Sequence, residues 1–93
     1  EDIVDITVDM IRPKIAIPLW EAFYREKEVI PFKDSIGRVS ADFLIPYPPG
    51  IPIVSPGEEI TKEIYEAIEF LKENYVEIIG PLDYNKGRIK VVK

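Results

Sequence analysis

Hydrophobic and polar positions alternate through residues 4–10, where Val4, Ile6, Val8 and Met10 are interleaved with Asp5, Thr7 and Asp9. A period of two with β-branched side chains predicts a half-buried strand. Wound as a helix, the same stretch would gather Asp2, Asp5 and Asp9 on one face, which makes helix the competing reading. Arg12-Pro13 breaks the pattern, and residues 14–17 read as a second short extended piece. Pro18 suits the first turn of a short helix over 19–25 that buries Leu19, Ala22 and Phe23. The apolar run 29–32 is held extended by proline, and Asp34-Ser-Ile-Gly37 reads as one helical turn stopped by glycine. Alternation returns over 39–45. There Val39, Ala41 and Phe43 oppose Ser40 and Asp42, predicting the most regular strand of the chain.

Residues 46–57 carry five of the nine prolines and two of the five glycines. Proline fixes φ and removes an amide donor, which excludes helix and central strand from this stretch. Ile51, Ile53 and Val54 lie within it, and a solvated linker has no need of them. An ordered, rigid loop pinned to the core is therefore expected. Beyond it the spacing predicts one clear helix, about 61–74. Thr61 is its N-cap, Glu63 lies in the favourable first turn, and Ile60 is placed to staple onto Tyr65. Ile64, Ile68, Leu71 and Tyr75 form one buried stripe, Lys62, Glu66, Glu69 and Lys72 face water, and Asn74 is the stop. A strand over 76–79, a turn-rich connection over 80–87 and a last strand over 88–92, with Ile89 and Val91 on one side, complete the chain. The expectation is a small α+β single domain over 1–93, with short strands, one main helix and an ordered proline-rich loop over 46–57.

Composition narrows the function more than the fold. With 93 residues, 46% hydrophobic and 31% charged, the chain has room for one core and is too apolar to be disordered. No run approaches the roughly 20 apolar residues of a membrane span, so no membrane partner is expected. Starting at Glu1 rather than Met, the chain is expected to be an excerpt or a processed product. A net charge of −5 disfavours nucleic acid, because phosphate binding needs clustered Lys and Arg, and here they alternate with acids. The absence of cysteine excludes disulfides and thiolate catalysis and suits a cytoplasmic location. The absence of histidine removes the usual general base and the commonest metal ligand. A self-contained enzyme without either is uncommon, and the balance leans to a non-catalytic module.

Individual chemistries fare no better. Asp2, Asp5 and Asp9 lack the convergent, glycine-containing loop of a calcium site, so a solvated face and no metal is the reading. Ser35, Ser40 and Ser55 have no histidine to activate them, and no Gly-x-Ser-x-Gly elbow occurs. Lys33 and Lys86 lie in loops with nothing to desolvate them for Schiff-base chemistry. Two overlapping Pro-x-x-Pro matches, Pro46 to Pro49 and Pro49 to Pro52, sit between expected strands rather than in a tail, which disfavours a peptide-ligand role. Glu58 and Glu59 precede the main helix, where its positive end favours carboxylates. The alternative is that Glu58, on a stiff loop, meets a cationic ligand in a neighbouring site.

At that loop the sequence resembles a known family. Gly37-Arg-Val-Ser-Ala41, Pro46-Tyr-Pro-Pro-Gly-Ile-Pro52 and Pro56-Gly-Glu-Glu-Ile-Thr61 are similar to the C-terminal domain of the Orn/Lys/Arg decarboxylases. So are Pro18-Leu-Trp-Glu-Ala22, Val29-Ile-Pro31, Gly80, Asp83 and Arg88-Ile-Lys-Val91. The resemblance covers 18–92, and its motif residues are Gly37, Arg38, Pro46, Tyr47, Pro48, Pro49, Gly50, Ile51, Pro52, Pro56, Gly57 and Glu58. It implies a fold-type-I pyridoxal-phosphate decarboxylase of arginine, lysine or ornithine, whose cofactor is carried by a lysine of a large domain in a Ser-x-His-Lys-like context. This chain lacks that context and has no histidine. The resemblance therefore implies a non-catalytic domain that binds no cofactor itself, with pyridoxal phosphate in the parent enzyme. It is expected to support the large domain, substrate access or homo-oligomer assembly. Its partners would be that pyridoxal-phosphate-binding domain and, in the parent, the basic amino acid substrate. Tyr47 and Glu58 are the substrate-proximal candidates, because such substrates carry a distal cation. A free-standing binding or regulatory module derived from the domain is the alternative.

Overall fold

The computed structural model of the chain describes residues 13–47, 50–80 and 87–93. The strand expected over 4–10, its acidic trio, and most of the 80–87 connection lie outside the described residues. In chain order the elements are helix α1 (Leu19–Tyr24), strand β1 (Lys27–Pro31), a 3-10 turn (Phe32–Asp34), strand β2 (Ile45–Tyr47), helix α2 (Lys62–Glu73), strand β3 (Glu77–Ile79) and strand β4 (Arg88–Val92). This is the expected α+β class. The radius of gyration, 12.4 Å, is close to the roughly 12 Å of one compact domain of this length. Among the described residues no helix is long and apolar enough to cross a membrane.

Helix α2 follows its sequence pattern closely. The Thr61 side chain accepts from the Ile64 amide at 3.1 Å, satisfying one of the free donors of the first turn. Ile64, Ala67, Ile68 and Leu71 recur at helical spacing and are buried, so the stripe faces the core. The helix ends as a Schellman motif: the Val76 amide donates to Leu71 O at 2.9 Å and the Tyr75 amide to Lys72 O at 3.1 Å. Tyr75 takes the left-handed position of that motif, φ 63°, and is 97% exposed. It therefore leaves the stripe it was expected to extend, and Val76, packed against the core, takes its place. The ring of Tyr65 stacks on Phe32 at 4.9 Å, anchoring the 3-10 turn to α2.

Two antiparallel ribbons flank the helix. β1 pairs with β4 from Lys27↔Val92 to Pro31↔Arg88, and β2 pairs with β3 from Ile45↔Ile79 to Tyr47↔Glu77. Ile89 and Val91 of β4 share the inner face, as their alternation predicts. Leu44, Val54, Ile60 and Ile78 complete the core with them and α2.

The structure departs from expectation at five further places. Residues 39–45 are not one strand: Val39 and Ser40 make isolated bridges to Glu59 and Val91, the chain bends at 41–42, and Leu44 bridges Val54. The bend is local chemistry, because Ser40 Oγ donates to Asp42 O and accepts from the Asp42 amide. Phe43 is 42% exposed as a result, whereas Ser40 is buried. Pro46 lies within β2 and is buried; both strands of a two-stranded ribbon have a free edge, where proline costs no ladder bond. The loop is tied down by Ile53 and Val54 as expected, but Ile51 is 54% exposed. The helical turn expected over 34–37 starts two residues earlier, at Phe32, whose buried ring sets it. Finally, α1 buries only Ala22, while Leu19 and Phe23 are exposed.

Candidate functional site

The motif segment around Gly57 is a structural crossing point. The Gly57 carbonyl accepts from the amides of Ala16 and Ile17 at 2.9 and 3.0 Å, and its amide donates to Ser40 O at 2.8 Å. On either side, the Ser40 amide donates to Glu58 O, the Glu59 amide to Lys14 O, and the Ile60 amide to Arg38 O. Residues 57–60 thus join the 14–17 segment on one edge to 38–40 on the other. Gly57 has φ 93°, and a β-carbon there would collide with Ile17 O. Only glycine permits both the left-handed backbone and that approach.

Glu58 stands at the centre of this arrangement. Its Oε1 accepts from the Ser55 amide at 3.0 Å, and its own amide donates to Ser55 O at 3.1 Å, so side chain and backbone together close the 55–58 turn. The helix start is served instead by Thr61 and Glu63. Glu59 pairs with Lys14 at 3.3 Å. Beside Glu58 lies a cleft of about 200 Å³ lined by Ile15, Ile17, Leu19, Phe43, Ser55 and Pro56 together with Glu58. One carboxylate in an apolar setting suits a cation with an aliphatic stem better than it suits catalysis.

Tyr47 is not among the residues lining that cleft. It is 58% exposed at the end of β2, and its ring lies against Gly50, which has φ 88° and donates its amide to Pro46 O at 2.9 Å. Pro48 and Pro49 lie outside the described residues. The rest of the motif is architectural. Gly37, φ 87°, donates its amide to Ile60 O at 2.7 Å, and Pro56 is buried. The Arg38 guanidinium pairs with the Glu28 carboxylate of β1 and reaches Val92 O of β4 at 3.4 Å, clasping that ribbon to the core. Ile51 and Pro52 are exposed. The structure therefore brings Glu58 to a cleft, leaves Tyr47 elsewhere on the surface, and adds Ile15, Leu19 and Phe43, which sequence patterning assigned to extended or core positions. Among the described residues no group of three or more His, Cys, Asp or Glu is placed to hold a metal ion.

Comparison with known proteins gives a consistent result. The family model described as "Orn/Lys/Arg decarboxylase, C-terminal domain" matches residues 8–78. An arginine decarboxylase of Bacillus anthracis is 44% identical over 81 residues, covering 87% of this chain and 16% of that protein. A lysine decarboxylase of Hafnia alvei is 39% identical over 66 residues, covering 67% of this chain and 9% of the relative. Among solved structures, the constitutive lysine decarboxylase of E. coli superposes with a TM-score of 0.77 at 28% identity, covering 95% of this chain and 15% of that one. The chain thus spans about a sixth of the length of the arginine decarboxylases it matches.

Proposed function

The chain belongs to the family of Orn/Lys/Arg decarboxylase C-terminal domains, and on that premise we propose that it is the non-catalytic C-terminal portion of a pyridoxal-phosphate-dependent arginine decarboxylase. The observation that carries this reading is the match to arginine decarboxylases over 87% of the chain at 42–44% identity. The lysine decarboxylases match less of it, 67% at 36–39% in three relatives. Arginine is thus the favoured substrate, with lysine and ornithine behind it.

Pyridoxal phosphate supplies an electron sink for decarboxylation when bound, and the protein must offer it a lysine and a phosphate cradle. The described residues do not fit that need. No lysine lines the cleft, and Lys14 is spent on Glu59 in an exposed pair. The close backbone approach at Gly57 is filled by the chain's own Ile17 carbonyl rather than being open to a phosphate. The cofactor and the chemistry accordingly belong to the larger part of the protein, and this domain supports that part. Tyr47 and Glu58 are its two candidate positions near the substrate's path. Glu58 acts by bracing the 55–58 turn, and Tyr47 presents an exposed ring and hydroxyl.

The deciding experiment measures carbon dioxide release from arginine, lysine and ornithine by the full-length protein with added pyridoxal phosphate and by the 93-residue chain alone. Activity on arginine in the first and none in the second is expected. Turnover by the short chain, or none of the three substrates decarboxylated by the complete protein, would overturn the assignment.

A further inference from the structure

Helix α1 turns its apolar side away from its own core. Residues on a helix follow one another at about 100°, so Leu19, Phe23, Trp20 and Tyr24 share an arc of roughly 140°. Glu21 and Arg25 occupy the next sector, and Ala22 alone is buried. Every large side chain of the arc is exposed, Trp20 at 64% and Tyr24 at 85%. Ala22 sets this orientation as the one residue of the helix buried against the domain, and the polar groups bond along the helix itself. Arg25 pairs with Glu21 at 2.7 Å, and Lys27 Nζ donates to the carbonyls of Phe23 and Arg25, each at 3.0 Å. Through Leu19 the arc continues into the cleft, where Ile15 is 71% exposed and Phe43 42%. A contiguous apolar surface with aromatic residues at its centre and charges at its rim is the anatomy of an interface.

We propose that this face, with Trp20 as its central anchor, is where the domain docks on the larger part of its own protein. The inference rests on reading the chain as the C-terminal portion of a decarboxylase. The occupant follows from extent and charge. About five-sixths of the matched arginine decarboxylases lies outside the segment this chain represents, and that remainder is covalently present at high effective concentration. A second copy of this domain would instead bring another net charge of −5 against the first. Trp20 and Tyr24 bury large area with few rotatable bonds, the property that makes such residues energetic anchors. The failure of periodicity to place Leu19 and Phe23 in the core has the same cause: their partner is in another domain.

The test uses the full-length protein and its Phe23→Glu and Tyr75→Glu variants, the second altering an exposed residue outside the face. Hydroxyl-radical oxidation of Trp20, the single tryptophan of this chain, is read by mass spectrometry, alongside cross-linking from Lys14 and Lys27. Expected are slow oxidation in the unaltered protein, a rise of about tenfold or more in Phe23→Glu, no change in Tyr75→Glu, and cross-links to the large domain. Trp20 oxidised equally fast in all three proteins overturns the proposal, and so do cross-links running only between two copies of this domain. Decarboxylation on the same samples separates the readings. An active protein with freely oxidised Trp20 overturns the docking face alone, whereas a protected Trp20 in an inactive protein supports the face and overturns the assigned reaction. A reading frame that encodes no larger domain overturns both.

Discussion

The carbonyl of Ile17 occupies the space into which a β-carbon on Gly57 would project, and the amide of the same Ile17 donates to Gly57 O at 3.0 Å. At Gly57 the two chain segments therefore touch backbone to backbone, where the Pro-Gly-Glu turn meets the segment leading into α1. Neither can move without the other. Gly57→Ala must abandon φ 93° or that contact. The left-handed backbone costs roughly 1–2 kcal/mol for a residue with a β-carbon, and the collision adds to it. A denaturant midpoint lowered by more than that cost implies is expected; an unchanged midpoint would show that 14–17 is free of the turn.

Tyr75 offers the opposite case, a position where the native residue is the strained one. It holds φ 63° at the C-terminus of α2 with its side chain in water. Glycine adopts that conformation at no steric cost and is the common choice in a Schellman motif. Tyr75→Gly should stabilise the domain by roughly 0.5–1 kcal/mol after the entropy of the unfolded glycine is counted. Thermal unfolding of the two proteins side by side decides it, and a lower Tm in the variant contradicts the account.

The described part of the proline loop is tied to its surroundings by backbone hydrogen bonds at defined points. Gly50 donates to Pro46 O and Ile53 to Leu44 O, both at 2.9 Å, and Ile53 is buried. Amide exchange should accordingly be slowed strongly at Ile53 and measurably at Gly50, while exposed Ile51 exchanges faster than either. Random-coil rates at Ile53 would mean the loop is not anchored to Leu44.

What was legible in the sequence was whatever a single periodicity controls. Thr61, Ile64, Ile68 and Leu71 could be placed because a cap and a 3.6-residue repeat agree, and Ile89 and Val91 because alternate positions of a strand share a face. Residues 39–45 misled because their alternation is real but Ser40 Oγ bonds to the Asp42 backbone, and Asp42 Oδ2 accepts from the Lys90 amide at 3.0 Å, bending the chain. Tyr75 was misplaced because the stripe carries no sign of where the backbone turns left-handed. At the candidate site, Glu58 could be singled out from the sequence but not its hydrogen-bond partner: Ser55 lies three residues away, and only the fold of the turn brings its amide to the carboxylate. The cleft beside it is assembled from Ile15, Leu19 and Phe43, residues whose exposure no pattern within this chain encodes.

Glu58 carries the last prediction, since two accounts of it differ in what a neutral isostere does. As a brace, it works through one oxygen accepting from the Ser55 amide, and glutamine keeps that oxygen. As a recruiter of a cationic substrate, it works through its charge, which glutamine loses. The geometry favours the brace, because Oε1 is already engaged within the turn. Glu58→Gln should leave stability within about 0.5 kcal/mol, whereas Glu58→Ala leaves the Ser55 amide without its acceptor and should cost roughly 0.5–1.5 kcal/mol. In the full-length enzyme, kcat/KM for arginine should then be unchanged in Glu58→Gln. Tyr47→Phe is the informative companion, since it removes only a hydroxyl from an exposed ring. A fall in kcat/KM there at constant Tm would place Tyr47 rather than Glu58 on the substrate's path. Conversely, a several-fold loss in Glu58→Gln at unchanged stability would refute the brace and make the carboxylate a long-range attractor for the substrate's distal cation.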